Sequence, residues 1–206
     1  QWQSPARSGE NHVTTTPDLQ QTHDPIVAEA IATLARGSES LPGTDLEERI
    51  ELLGQIQQLL LEHAGEWVDI CCRFKSLQTS SQRSEEILAG PSTTARYLTL
   101  LIQSLRAISR NGSPTLPGRI NSLADGRLVV PVFPARGVYD TLLFTGLAAD
   151  VWMQPGVTEE DLHGDLLGPL LTPNSPAPIS LVLGAGNVAA IPLTDSLAKL
   201  FQESQV

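Results

Sequence analysis

The residues best suited to chemistry lie near the end of the chain, where Gly184-Ala185-Gly186-Asn187-Val188-Ala189 satisfies the pattern G-x-G-x-x-[G/A]. The apolar, partly β-branched run Ile179-Ser180-Leu181-Val182-Leu183 precedes it and reads as a short buried parallel strand. Residues 191–202 follow as a helix with Leu193, Leu197, Leu200 and Phe201 apolar. In such a layout Gly184 permits a tight turn out of the strand. Gly186 removes a side chain where backbone must approach a phosphate or a cofactor ring, and Ala189 lets the helix pack close to the sheet. The helix N-terminus adds free amide hydrogens and the positive end of its dipole. The competing expectation is a purely structural strand-to-helix turn. An acidic residue roughly 20 positions onward, which would hold a ribose, falls past Val206.

Other reactive side chains are sparse. Cys71 and Cys72 are adjacent, a spacing that rarely meets disulfide geometry, and are expected as small, buried or half-buried side chains. His12, His23, His63 and His163 show no metal-ligand spacing, so no metal is expected. Asp161-Leu162-His163-Gly164-Asp165 is expected as a solvated helix start, and His63 as a surface residue. Trp67 and Trp152 are expected as core or interface anchors.

The elements that must position the glycine loop can be read along the chain. Residues 1–23 are polar and without apolar period, as expected of a tail. Asp24-Pro25 starts a helix with Ile26, Val27, Ala30, Ile31 and Leu34 on one face, closed by Gly37 and the run Ser38-Glu39-Ser40-Leu41-Pro42-Gly43. Thr44-Asp45-Leu46-Glu47 has the form of a capping box, and Leu46, Ile50, Leu53, Ile56, Leu60, Ala64 and Trp67 recur at helical steps to about Lys75. A polar connection at residues 78–84 leads to a third helix over about Ser92 to Ser109. Leu128–Phe133 is β-rich, with Pro131 restricting it to an edge or a bulge, and Ala149–Met153 is a second extended piece. Thr158-Glu159-Glu160-Asp161 begins a further helix running to about Leu171, and a proline-rich loop over 172–178 leads into the final unit.

The 206 residues carry 41% hydrophobic and 17% charged side chains, enough apolar material for a packed core. A net charge of −10 argues against a nucleic-acid partner, which needs clustered Lys and Arg. No run nears the length of a membrane span, and Gln1–Arg7 lacks a signal-peptide layout. The expected setting is a reducing cytoplasm, with no membrane partner. A start at Gln1, a single methionine at Met153 and a close at Gln205-Val206 give the further expectation of a fragment.

Leu181–Val188 together with Leu197–Phe201 resembles the opening of the cofactor-binding domain of aldehyde dehydrogenase-like proteins, in a divergent bacterial branch. Val151-Trp152-Met153-Gln154-Pro155-Gly156-Val157 and Glu48–Leu53 belong to the same resemblance, which covers most of residues 40–206. It implies an α/β fold: N-terminal helices and an extended hairpin leading into the first βα unit of a truncated, Rossmann-like NAD(P)-binding domain. The corresponding divisions are 1–23, 24–125, 126–178 and 179–206. It also implies that Asn187 donates to the oxyanion of a thiohemiacetal, while Gly184, Ala185, Gly186 and Val188 line the floor beneath NAD or NADP. The family's usual loop carries a proline and an aromatic residue before the asparagine, where this chain has Ala185-Gly186. The implied substrate is a small aldehyde or acyl compound, and the implied full-length protein is a homo-oligomer to which the 128–153 hairpin contributes. Its cysteine nucleophile and glutamate base would lie downstream, so these residues alone are expected not to turn over. An acyl-CoA or acyl reductase and a non-catalytic scaffold of the same superfamily are the alternatives.

Overall fold

The computed structural model describes residues 24–134, 138–162 and 176–206. The expected tail at 1–23 lies outside them, as do the later part of the helix expected from Thr158 and residues 172–175 of the loop that follows.

Helix α1 spans Pro25–Ser40, with Asp24 as N-cap accepting from the Ile26 amide at 2.9 Å. It ends within the expected run 37–43: Gly37 keeps helical geometry, and a 3-10 turn at Leu41–Gly43 takes over the termination. That turn also moves the start of α2 (Leu46–Phe74). Thr44 is engaged through its own amide with Leu41 O at 3.0 Å, so Asp45 rather than Thr44 caps the helix, accepting from the Glu48 amide at 2.8 Å.

The polar connection expected at 78–84 is a helix, α3 (Ser80–Ile87), with no buried residue. It has no apolar stripe to announce it. Its start is fixed by a capping box, in which Thr79 Oγ1 accepts from the Gln82 amide and Gln82 Oε1 accepts from the Thr79 amide. A π-helical turn at Leu88–Ser92 joins it to α4 (Thr93–Asn111), which ends at Gly112 in the left-handed region, φ 73°.

A three-stranded antiparallel sheet follows: β1 (Asn121–Ser122), β2 (Leu128–Phe133) and β3 (Ala149–Trp152), in the order β1-β2-β3. The register shifts between Pro131 and Phe133, so the proline is accommodated by an irregularity in β2, which pairs on both sides. Between β2 and β3 lies the short helix α5 (Val138–Leu143), where the buried Asp140 meets Arg96 of α4 at 2.6 Å. Residues 159–162 are helical, opened by Thr158 Oγ1 accepting from the Asp161 amide while Asp161 Oδ2 accepts from the Thr158 amide.

The last helix, α6, spans Ala190–Phe201. Its Leu197 and Phe201 enter one apolar core with Ile50, Leu53 and Leu60 of α2 and Leu98, Leu101, Leu105 and Ile108 of α4. Burial of these side chains, each worth about 1.5–3 kcal/mol, fixes α6 and hence the loop before it. The chain is thus mixed helix and sheet, mostly helical.

The buried strand expected at 179–183 requires correction. The segment carries no strand pairing along its length, and Leu181 and Leu183 are 83% and 78% exposed. Among the described residues, one position of the segment is paired. The Val206 amide donates to Pro178 O at 2.9 Å and Val206 O accepts from the Ser180 amide at 2.6 Å. One residue bonding to both neighbours of Ile179 is the pattern of parallel strands, since an antiparallel pair would exchange both bonds between the same two residues. Beyond Ile179 no neighbouring strand covers the segment among the described residues, and Leu181 and Leu183 face solvent while Val182 is half-buried.

Candidate functional site

The glycine loop is a tight, exposed turn. Ala185 and Val188 form an isolated antiparallel bridge, with Gly186 and Asn187 at the tip. Gly184 leads into it under a specific steric demand. A Cβ there would lie 2.7 Å from Pro192 Cγ and 3.2 Å from Pro192 Cβ, so any side chain at this position forces the Pro192 ring in the first turn of α6 to shift. Gly186 differs. A Cβ there meets nothing within 4 Å, and its φ is not in the left-handed region. Packing within the chain therefore accounts for Gly184 and leaves Gly186 without a structural requirement.

Ala189 caps α6 without a side-chain bond, and Ala190 is buried against the core side. The helix offers fewer free donors than an ideal N-terminus. Pro192, in its first turn, has no N–H, and the Ile191 amide already donates to Val188 O at 3.3 Å. The amides of Ala189 and Ala190 are the ones that remain for an anion.

The Asn187 side chain is exposed, but its backbone is held from the opposite side. Lys75 Nζ, at the C-cap of α2, donates to Asn187 O at 2.6 Å and to Glu86 Oε1 of α3 at 2.6 Å. The Lys75 and Glu86 side chains are 20% and 12% exposed, so this pair is partly withdrawn from water. Ser76 follows Lys75 with φ 55°, which turns the chain sharply after α2. Nothing in the sequence connects positions 75 and 187, and no spacing rule finds the contact.

Two open hollows of about 280 and 350 Å³ flank the extended segment, sharing Val182 and Lys199. Leu34, Ser196 and Gln205 line the first, and Leu181, Leu183, Asp195 and Glu203 line the second. Neither includes a residue of 184–188. A third feature stabilises the same end of α6. Arg49 of α2 is 1% exposed and donates to Ser204 Oγ at 3.0 Å, Leu200 O at 3.2 Å, Thr44 O at 3.2 Å and Leu41 O at 3.4 Å. Burial pushes its pKa down from the usual arginine value, but the cation is satisfied by oxygen acceptors. On α4, burial foremost, then the negative charge of Asp195, raises the pKa of the Tyr97 phenol, which accepts from Gln202 Nε2 at 3.0 Å.

The other chemical candidates stay dispersed. Cys71 and Cys72 are free thiols near the end of α2, half-buried. His63 is exposed beside Glu66, and His12, His23, His163 and Asp165 lie outside the described residues. Among the described residues no three His, Cys, Asp or Glu gather as metal ligands. Trp67 packs against the core, whereas Trp152 is exposed on β3 with Arg127 over its ring at 5.6 Å. No helix among the described residues is long and apolar enough to cross a membrane. No family model, curated protein or solved structure matches the chain.

Proposed function

We propose that residues 179–206 are the leading strand–loop–helix unit of a nucleotide-cofactor domain, and that the chain is the N-terminal part of an aldehyde dehydrogenase-like oxidoreductase using NAD or NADP. One observation carries the proposal. The chain leaves Ile179, passes the glycine loop and α6, and returns at Val206 in parallel register beside Ile179. A parallel return through a helix is the elementary step of a doubly wound sheet, whose ligands sit at the carboxyl ends of the strands. Here that end is the loop 184–188. The exposed apolar faces of Leu181 and Leu183 are then the surfaces that further strands and helices of the full-length protein cover.

The loop residues fit a dinucleotide in one respect: Gly186 is open on its Cβ side, where a ring or phosphate needs backbone contact. The bound cofactor would supply a hydride acceptor. The chain's own contribution is positional and electrostatic. Gly184, by its approach to Pro192, sets the loop against α6. Asn187, exposed at the tip, presents an amide donor to the carbonyl oxygen on which charge develops as a cysteine of the parent chain attacks an aldehyde. That donor does most where the charge is greatest, in the transition state, so it raises turnover more than it raises substrate affinity.

The test is made on the full-length parent, by following aldehyde-dependent formation of NADH or NADPH in the wild type and in Asn187→Ala. Turnover that falls by about 10²–10³ on losing one oxyanion donor, with the fold intact, supports the assignment. A parent chain lacking the cysteine nucleophile points instead to a scaffold, and activity on acyl thioesters alone points to an acyl reductase.

A further inference from the structure

We infer that Lys75 is a positioning residue for the glycine loop, acting through the backbone of Asn187; this rests on the oxyanion role proposed for Asn187. Lys75 is the link between the α2–α3 helical unit and the tip of the loop. Its ammonium bridges Glu86 Oε1 and Asn187 O, each at 2.6 Å. Glu86 is 12% exposed, so the carboxylate that steers the ammonium is itself held out of water. An ammonium donates in several directions, which lets one group serve a carboxylate and a carbonyl together.

The consequence for Asn187 is geometric. Its carbonyl is pinned towards α2 and α3, and Ala185 and Val188 are bridged on either side of the tip. With the peptide plane fixed at one end and the turn closed at the other, the Cα–Cβ direction of Asn187 is fixed as well. Side-chain packing does not do this, since even a Cβ at Gly186 would meet nothing within 4 Å and Asn187 is exposed. Without Lys75 the tip would retain its bridge and lose its external anchor.

Hydrogen exchange of the chain described here tests the anchor without any cofactor. In Lys75→Met, peptides covering 184–190 should exchange about tenfold faster or more, the range expected for loss of a hydrogen bond to a charged group. Peptides from the α2 and α4 core should stay within about twofold of wild type, because the lost bond lies outside the core they report on. Lys75→Arg should restore most of the protection, and Glu86→Gln, which keeps an acceptor but removes its charge, should fall between. Unchanged exchange in the loop of Lys75→Met, equal acceleration in the core, or failure of arginine to rescue would each overturn the assignment.

In the full-length parent, Lys75→Met should lower kcat while leaving the KM for aldehyde nearly unchanged, as expected when only transition-state stabilisation is lost. A fall in both that tracks stability would mean a structural brace alone. If the loop loosens as expected while Asn187→Ala keeps full turnover, the anchor stands and the oxyanion role fails.

Discussion

Substituting Gly184 and Gly186 separately distinguishes a turn built for packing from one built for a ligand. In Gly184→Ala the new methyl would lie 2.7 Å from Pro192 Cγ, 3.2 Å from its Cβ and 3.5 Å from its Cδ. Ordinary carbon contacts sit at about 3.5–4.0 Å, so the proline ring must retreat by the better part of an ångström. Repuckering moves Cγ most easily, but Cγ and Cβ are both crowded, and the ring belongs to a helix whose Leu197 and Phe201 are locked in the core. Overpacking of this kind costs about 1–3 kcal/mol. The lower entropy of an unfolded alanine returns about 0.4–1 kcal/mol, leaving a net loss of about 0.5–2 kcal/mol. Gly186→Ala meets no atom and needs no left-handed backbone, so it should be neutral or slightly stabilising. Urea unfolding measures both, with m-values checked for constancy. In Pro192→Ala the obstructing Cγ is gone, so the double variant Gly184→Ala/Pro192→Ala should recover about 1 kcal/mol as a coupling energy. A Gly184→Ala chain as stable as wild type, or a cycle with no coupling, would refute the steric account of this turn.

Arg49→Met strands the part-buried carbonyls of Leu200 and Thr44 and the buried hydroxyl of Ser204; with about 1–3 kcal/mol for each unsatisfied group offset by removal of a buried cation, a loss of about 3 kcal/mol in urea unfolding is expected. Arg49→Lys should recover less than half of it, since a single ammonium does not span acceptors on three segments. Tyr97 keeps its proton longer in the folded chain than in the unfolded one, so its contribution is fully present below the unfolded pKa of about 10 and lost as pH rises through the higher folded value. Thermal melts at rising alkaline pH should show that decline in the wild type and a flatter one in Tyr97→Phe.

The helices were legible where burial writes a period into the sequence. The repeat through Ile50, Leu53 and Leu60 and that through Leu98, Leu101 and Leu105 mark the faces that meet in the core. Helix α3 was not, because its stability comes from Thr79, Gln82 and ion pairs of Lys75 and Arg83 rather than from an apolar stripe. Thr44-Asp45-Leu46-Glu47 signalled a helix start correctly but misplaced the cap by one residue, since the 3-10 turn before it engages Thr44. The strand at 179–183 shows the limit of local pattern. Its β-branched, apolar character is real, yet strand pairing depends on neighbours, and among the described residues only Val206 pairs with it. At the site, the glycine pattern located the turn and gave Gly184 a tight turn and Gly186 a close backbone approach, without separating a glycine demanded by packing from one open on its Cβ side. That distinction came from Pro192, and the anchor came from Lys75, more than a hundred positions earlier in the chain.

The central claim is that the turn at 184–188 is the floor of a dinucleotide-dependent active site with Asn187 as its oxyanion donor. Steady-state turnover of aldehyde with NAD and NADP by the full-length parent, wild type against Asn187→Ala, tests it most directly. A fall of about 10²–10³ in kcat, with unchanged unfolding in urea because Asn187 is exposed, is the predicted result. Equal turnover by the two proteins, or a wild type that reduces neither cofactor, would contradict it.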